Sequence, residues 1–239
     1  AIVSATGGEY QLESVLDPIS TTVSKFHVSD PALDSLRLLM LLDEYSIEVL
    51  TVNANWEAHA VARLYFPEPP LDVAVTESLL LVGSSQSAYV YSFDEDVFPT
   101  YRATISFVSA GAPNPLVRLL CDDAHAPGKV WTVRLKGVEV YDLGDPTLPL
   151  TVGQLDLPAG NADAARSGDY IYASTIDAGV LRLHAPVGSS PTVADSVRLD
   201  GGSIAVQGGQ VALASTRTVR FIEWESASEV DGEEELYLP

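Results

Sequence analysis

Cysteine occurs once in the 239 residues, as Cys121, so no disulfide can form within the chain. No basic residue stands immediately beside it, and the expectation is a small core residue rather than a reactive thiol. Basic residues are scarce: 13 Lys and Arg, with lysine only at Lys25, Lys129 and Lys136, stand against 33 Asp and Glu, for a net charge of −20. A field of that sign repels phosphate backbones and anionic lipid surfaces, so nucleic acid is not an expected partner. Two readings of the charge remain open: solubility in a salty medium, or attraction for a basic protein partner or divalent cations. Long hydrophobic runs are missing too. The longest aliphatic stretch, Leu38-Leu39-Met40-Leu41-Leu42, is far below the roughly 20 apolar residues of a membrane-spanning helix, so no membrane insertion is expected. No secretory signal of charged start, apolar middle and small-residue cleavage site opens the sequence at Ala1. The spacings His-Glu-x-x-His, Gly-x-Ser-x-Gly, Gly-x-Gly-x-x-Gly and the phosphate-binding loop do not occur, and His27, His59, His125 and His184 are never paired at ligand spacing. No catalytic residue, cofactor or metal site is therefore expected from local motifs.

What the sequence does contain is a repeat. Hydrophobic residues make up 46% and charged ones 19%, enough to bury a sizeable core. A short alternating strand recurs as Ile47-Glu48-Val49-Leu50-Thr51-Val52, Ala88-Tyr89-Val90-Tyr91-Ser92-Phe93, Val138-Glu139-Val140-Tyr141-Asp142-Leu143, Val180-Leu181-Arg182-Leu183-His184-Ala185 and Val219-Arg220-Phe221-Ile222-Glu223-Trp224. Its start positions, 47, 88, 138, 180 and 219, are separated by 41, 50, 42 and 39 residues, the period of a four-stranded propeller blade. Each copy is preceded by an apolar strand, as in Leu79-Leu80-Leu81-Val82-Gly83, and followed after a polar turn by a weaker alternation, as in Tyr101 to Phe107. Another apolar strand opens each unit: Val23 to Val28, Leu71 to Val75, Leu116 to Leu120, Ala162 to Arg166 and Ile204 to Gln207. Gly and Pro punctuate the joints, and no helical stripe is sustained; Leu33 to Glu48 is aliphatic on all sides and interrupted at Asp43-Glu44.

The predicted fold is all-β: a single β-propeller domain over 1–239 of four-stranded antiparallel blades, five complete blades plus an N-terminal hairpin, with five or six blades in the ring. The units run 1–17 (partial), 20–67, 71–109, 115–158, 162–200 and 203–239. The two central strands of each blade should be buried on both faces. Leu80, Val82, Val133, Val140, Ile171 and Leu183 are the expected core. Because open edges invite aggregation, residues 1–17 are expected to pair with the strands near Thr218 to Leu238 and close the ring.

Gly137-Val138-Glu139-Val140-Tyr141-Asp142-Leu143-Gly144-Asp145-Pro146, with Ser167-Gly168-Asp169-Tyr170-Ile171-Tyr172-Ala173 after it, resembles the LVIVD-repeat propellers, in which a strand and turn like GLRVVDVSDP precede one like GDYAYVAD. The match covers the third and fourth blades well; the flanking blades share spacing and polarity. Phe26-His27-Val28-Ser29-Asp30-Pro31 is similar to the turn of WD40 blades, although no Trp-Asp dipeptide occurs. The resemblance implies a propeller of the kind common on extracytoplasmic or cell-surface proteins of bacteria and archaea, and it transfers no catalytic residue.

Three clusters invite a chemical reading. Asp122-Asp123-Ala124-His125, on the loop after the first strand of the third blade, offers two carboxylates and an imidazole for a metal or for acid–base work; a polar turn is the plainer account. Asp94-Glu95-Asp96 follows a third strand but lacks the glycine and spacing of a calcium loop, and is expected as an exposed turn available to a partner. Asp231-Gly232-Glu233-Glu234-Glu235 is an acidic patch near the C-terminal end of the sequence. Trp56, Trp131 and Trp224 share no repeated register, which disfavours a set of identical glycan sites; Trp131 and Trp224 fit core strands, and Trp56 is a contact candidate. The leading functional expectation is a non-catalytic propeller that serves as a protein–protein scaffold or accessory subunit. The alternatives are a ligand- or glycan-binding propeller with an axial site, and a hydrolase using Asp72, Asp122, Asp123 and Asp163 from different blades.

Overall fold

A computed structural model describes residues 2–6, 9–14, 25–28, 37–42, 44–53, 57–93, 97–107, 113–122, 126–157, 160–177, 179–199, 202–207, 209–214, 218–224 and 230–237. All the regular elements among them are strands. A hairpin of β1 (Ile2–Thr6) and β2 (Glu9–Ser14) is followed by five four-stranded antiparallel sheets, each built from strands consecutive in the chain. The first sheet is β3 (Lys25–Val28), β4 (Arg37–Leu42), β5 (Ser46–Val52) and β6 (Ala58–Tyr65). The second is β7 (Asp72–Val75), β8 (Leu79–Gly83), β9 (Ser87–Phe93) and β10 (Pro99–Ser106). The third is β11 (Leu116–Cys121), β12 (Lys129–Arg134), β13 (Gly137–Asp142) and β14 (Leu150–Asp156). The fourth is β15 (Asn161–Ser167), β16 (Tyr170–Thr175), β17 (Gly179–His184) and β18 (Thr192–Val197). The fifth is β19 (Ser203–Gln207), β20 (Gln210–Ala214), β21 (Thr218–Trp224) and β22 (Val230–Tyr237). These are the blades of a β-propeller, and the repeated alternating strand is the third strand of every blade. The aliphatic run 38–42, which carries no period of its own, is the second strand of the first blade.

Burial follows the order of the strands. Strands β8, β12, β13, β16 and β17 are buried almost throughout and β9 is buried or half-buried along its length, whereas the fourth strands β10, β14 and β18 are largely exposed. The first strands β7, β11, β15 and β19 adjoin one another in sequence, which makes them the inner strands. Period two sends alternate side chains of a central strand to different neighbouring blades. In β8, Leu80 and Val82 pack with Ile47 and Val49 of the first blade, while Leu79 and Leu81 pack with Leu116 and Leu119 of the third. In β16, Ile171 and Ala173 join Trp131 and Val133, while Tyr172 joins Leu213 and Ile222. There is thus a separate core at each of four blade–blade interfaces. All six expected core residues are fully buried, as are Trp131 and, nearly so, Trp224. Cys121 is only half-buried; its thiol donates to the Val75 carbonyl at 3.2 Å, tying β11 to β7. Leu183→Ala should destabilise the protein by about 2–5 kcal/mol, and an unchanged denaturation midpoint would show that the fourth-blade core is assigned to the wrong face.

The expected ring closure is not observed. β1 and β2 pair with each other as a two-stranded sheet, and β22 pairs with β21 alone. The sequence gives a reason for one edge: β22 reads Val-Asp-Gly-Glu-Glu-Glu-Leu-Tyr and β2 reads Glu-Tyr-Gln-Leu-Glu-Ser, so a ladder between these two would set like charges beside one another, whereas β1, Ile-Val-Ser-Ala-Thr, carries no charge. Charge along an edge strand opposes pairing with another strand.

Burial also sets the alkaline limit. It is the main cause that raises Tyr89, Tyr91, Tyr141 and Tyr172 above the ordinary phenol value, Tyr91 to about 12. Tyr141 further donates to Glu139 Oε2 at 2.6 Å. A raised folded-state pKa contributes stability that is complete below the unfolded value of about 10 and is lost as pH climbs through the folded value. The urea midpoint should therefore hold between pH 7 and 9 and fall above about pH 10; a midpoint that stays level to pH 12 would contradict this.

Candidate functional site

The inner strands hold a chain of charge that crosses three blades. Arg118 lies in β11, its apolar neighbours Leu116 and Leu119 committed to the core between the second and third blades. The guanidinium donates from Nε to Asp163 Oδ1 at 2.5 Å, from Nη2 to Asp163 Oδ2 at 3.4 Å and from Nη1 to Asp72 Oδ1 at 3.2 Å. The carboxylates are held by backbone as well. Asp72 accepts from the Leu119 amide at 2.8 Å; Asp163 accepts from Ala164 at 2.9 Å and, on the next blade, from Ile204 at 3.0 Å. Burial alone would lower the Arg118 pKa, but hydrogen bonding to Asp163 and the charges of both aspartates outweigh it, and the net shift is upward. Asp72 and Asp163, two of the four carboxylates considered for hydrolysis, are thus bridged by one cation and joined to four consecutive blades.

A second arginine occupies the interface between the third and fourth blades. Arg166 of β15 lays its guanidinium carbon 3.6 Å from the ring centroid of Trp131 in β12, and its side chain is 3% exposed. Asp122, at the end of β11, approaches to 3.6 Å between Oδ2 and Nη1. This is an ion-pair distance but too long for a hydrogen bond. Desolvation holds the Arg166 pKa below its usual value, opposed by the charges of Asp122, Asp169 and Cys121. A third arginine, Arg134, is held at both terminal nitrogens: it donates from Nη1 to the Phe107 carbonyl at 3.1 Å and from Nη2 to Glu139, while its Nε is buried without a partner.

Of the residues singled out by sequence, Asp122 lies just after β11, with its carboxylate 3.6 Å from Arg166. Asp123, His125, Trp56, Asp94, Glu95 and Asp96 lie outside the described residues. Neither Arg118 nor Arg166 stood out in the sequence. The visible sign was charge inside short, mostly apolar inner strands: Asp72 in β7, Arg118 in β11, and Asp163 and Arg166 in β15.

One end of the propeller is also distinctive. Phe98, Leu148 and Val187 are exposed, and each lies between the third and fourth strands of its sheet, in the second, third and fourth blades. In an antiparallel meander, the turns after the first and third strands fall at the same end. Asp122, Asp145 and Asp169, which lie in such turns, share that end. Between the fourth and fifth blades an open cleft of about 690 Å³ is lined by Asp177, Ser196, Arg198 and Arg220 among others.

No protein-family model and no curated protein matches the chain. Solved structures do. A functionally unknown protein from Desulfotomaculum acetoxidans is 14% identical with a TM-score of 0.64, the match covering 83% of this chain and 66% of that one. A protein from Lactobacillus plantarum is 15% identical with a TM-score of 0.68, covering 85% and 68%. Saccharomyces cerevisiae Sqt1 is 10% identical with a TM-score of 0.68, covering 89% and 62%. Likeness at this identity shows the fold. The chain spans about two-thirds of the length of each of these structures.

Proposed function

We propose that this chain is a non-catalytic propeller of the LVIVD-repeat kind, whose rigid end presents an apolar and acidic surface to a protein partner. The observation that carries the reading is the recurrence of Phe98, Leu148 and Val187 as exposed large apolar side chains in equivalent turns of three consecutive blades. Single exposed apolar residues are ordinary; a set in register at one end is less so. With Asp122, Asp145 and Asp169 at the same end and a net charge of −20, the complementary partner carries apolar anchors ringed by Lys or Arg. The bridging of Asp72 and Asp163 by Arg118 favours a structural role for those carboxylates over a catalytic one.

The test is differential capture from the native source. The wild-type protein should retain a basic partner, Leu148→Asp with Val187→Asp should lose it, and Ile176→Asp at the opposite end should keep it. Salt should weaken retention. Capture that is equal for all three proteins would end the proposal. A partner lost only with Ile176→Asp would move the interface to the other end.

A further inference from the structure

The interface between the third and fourth blades buries donors that meet no acceptor. All three nitrogens of Arg166 are buried without a hydrogen-bond partner, and so is Nε1 of Trp131, on whose ring the guanidinium lies. A guanidinium carries five N–H donors and the indole one more, so two touching side chains leave six donors unanswered. Burying a charge without hydrogen bonds costs several kcal/mol in general. The protein satisfies its other inner-strand arginine, Arg118, with two carboxylates. Among the described residues, the carboxylate within ion-pair distance of Arg166 is Asp122, 3.6 Å away, and it is the more exposed of the two, at 17% against 3%.

We propose that the Arg166–Trp131 pair is an anion site that takes a small free carboxylate, with Asp122 as its built-in competitor. The geometry selects the class. Stacking on the indole uses the flat face of the guanidinium and leaves its donors directed outward in the plane. That arrangement matches the two coplanar oxygens of a carboxylate, which a guanidinium edge grips in a fork. A tetrahedral phosphate would meet the same edge with only part of its oxygen set and would carry more charge past Asp122. The site lies near the end of the inner strand β15, at the same interface of the third and fourth blades that the Arg118–Asp163 pair crosses, and it does not rest on the partner-face reading; either can fail without the other.

Acetate is the probe, with inorganic phosphate for comparison, in calorimetric titration and thermal denaturation at constant ionic strength. Acetate should bind one per chain, and the Asp122→Asn protein should bind it at least tenfold more tightly than wild type, because the resident carboxylate no longer competes. At a hundredfold excess over Kd the melting temperature should rise by roughly 5–10 °C. Arg166→Lys retains the charge and the stem but not the fork, so a folded protein with at least tenfold weaker acetate binding is expected; Asp122→Asn/Arg166→Lys should lose the gain of the single Asn variant. Three results would overturn the proposal: no acetate binding by Asp122→Asn, binding unchanged by Arg166→Lys, or a crystal structure in acetate with only ordered water on the Arg166 nitrogens. Tighter binding of phosphate than of acetate would overturn the assignment to carboxylates.

Discussion

Gly179→Ala is expected to destabilise the protein by about 3–5 kcal/mol, one of the largest effects of any single methyl group in this fold. Gly179 begins β17 with φ at +84°, a region that costs a residue with a Cβ about 1–2 kcal/mol. A Cβ there would also stand 2.0 Å from the Val197 carbonyl oxygen and 2.6 Å from the Leu199 amide nitrogen, both backbone atoms that cannot rotate aside. Relief requires β18 to move off β17, breaking the Val180–Val197 register. Gly168→Ala separates the two contributions: its φ is +55°, yet nothing lies within 4 Å of the added carbon. It should cost about 1–2 kcal/mol. Equal midpoints for the two variants in urea denaturation would show that the close approach at Gly179 is absorbed without strand displacement.

Arg118→Met should cost about 3 kcal/mol. Removing one partner of a buried ion pair leaves the others charged and uncompensated, an effect typically of 3–5 kcal/mol; the lower end applies because the Arg118 side chain is 32% exposed while Asp72 and Asp163 are 4% and 11% exposed. Methionine fills the space of the aliphatic stem, so the loss reports the charge rather than a cavity. Asp72→Asn with Asp163→Asn added to Arg118→Met should recover part of the stability, because the repulsion disappears together with the pairing. A triple variant less stable than Arg118→Met alone would mean that the aspartates act chiefly through their bonds to the Leu119 and Ile204 amides.

The contrast between blade and site explains what the sequence could and could not reveal. The third strands were legible because they are half-turned to each neighbour, so period two is written into residues 138–143 and 180–185. The second strand of the first blade was not, because Leu38 to Leu42 are apolar at every position, and such a run has no phase. Closure was misjudged because the chemistry of a single strand says whether it can pair, not with which partner. The arginines were hidden for a different reason. Arg118 meets Asp72 and Asp163 across 46 and 45 residues, and Arg166 meets Asp122 across 44. Each pair spans one blade period, so the partner is found only when successive repeats are laid side by side.

Separate cores at each interface make the molecule a row of coupled units, and coupling of that kind has a profile. Each unit is stabilised by its own ladder and by whichever neighbours it touches. Among the described residues the fifth unit shares a core with the fourth, while the third shares one with each neighbour and is fastened by Arg118 on both sides. Opening should therefore begin at the C-terminal unit and reach the third last. Amide protons of Val130 to Val133 and Val138 to Tyr141 would exchange with solvent only on global unfolding, while those of β20 and β21 would exchange through cheaper, local openings.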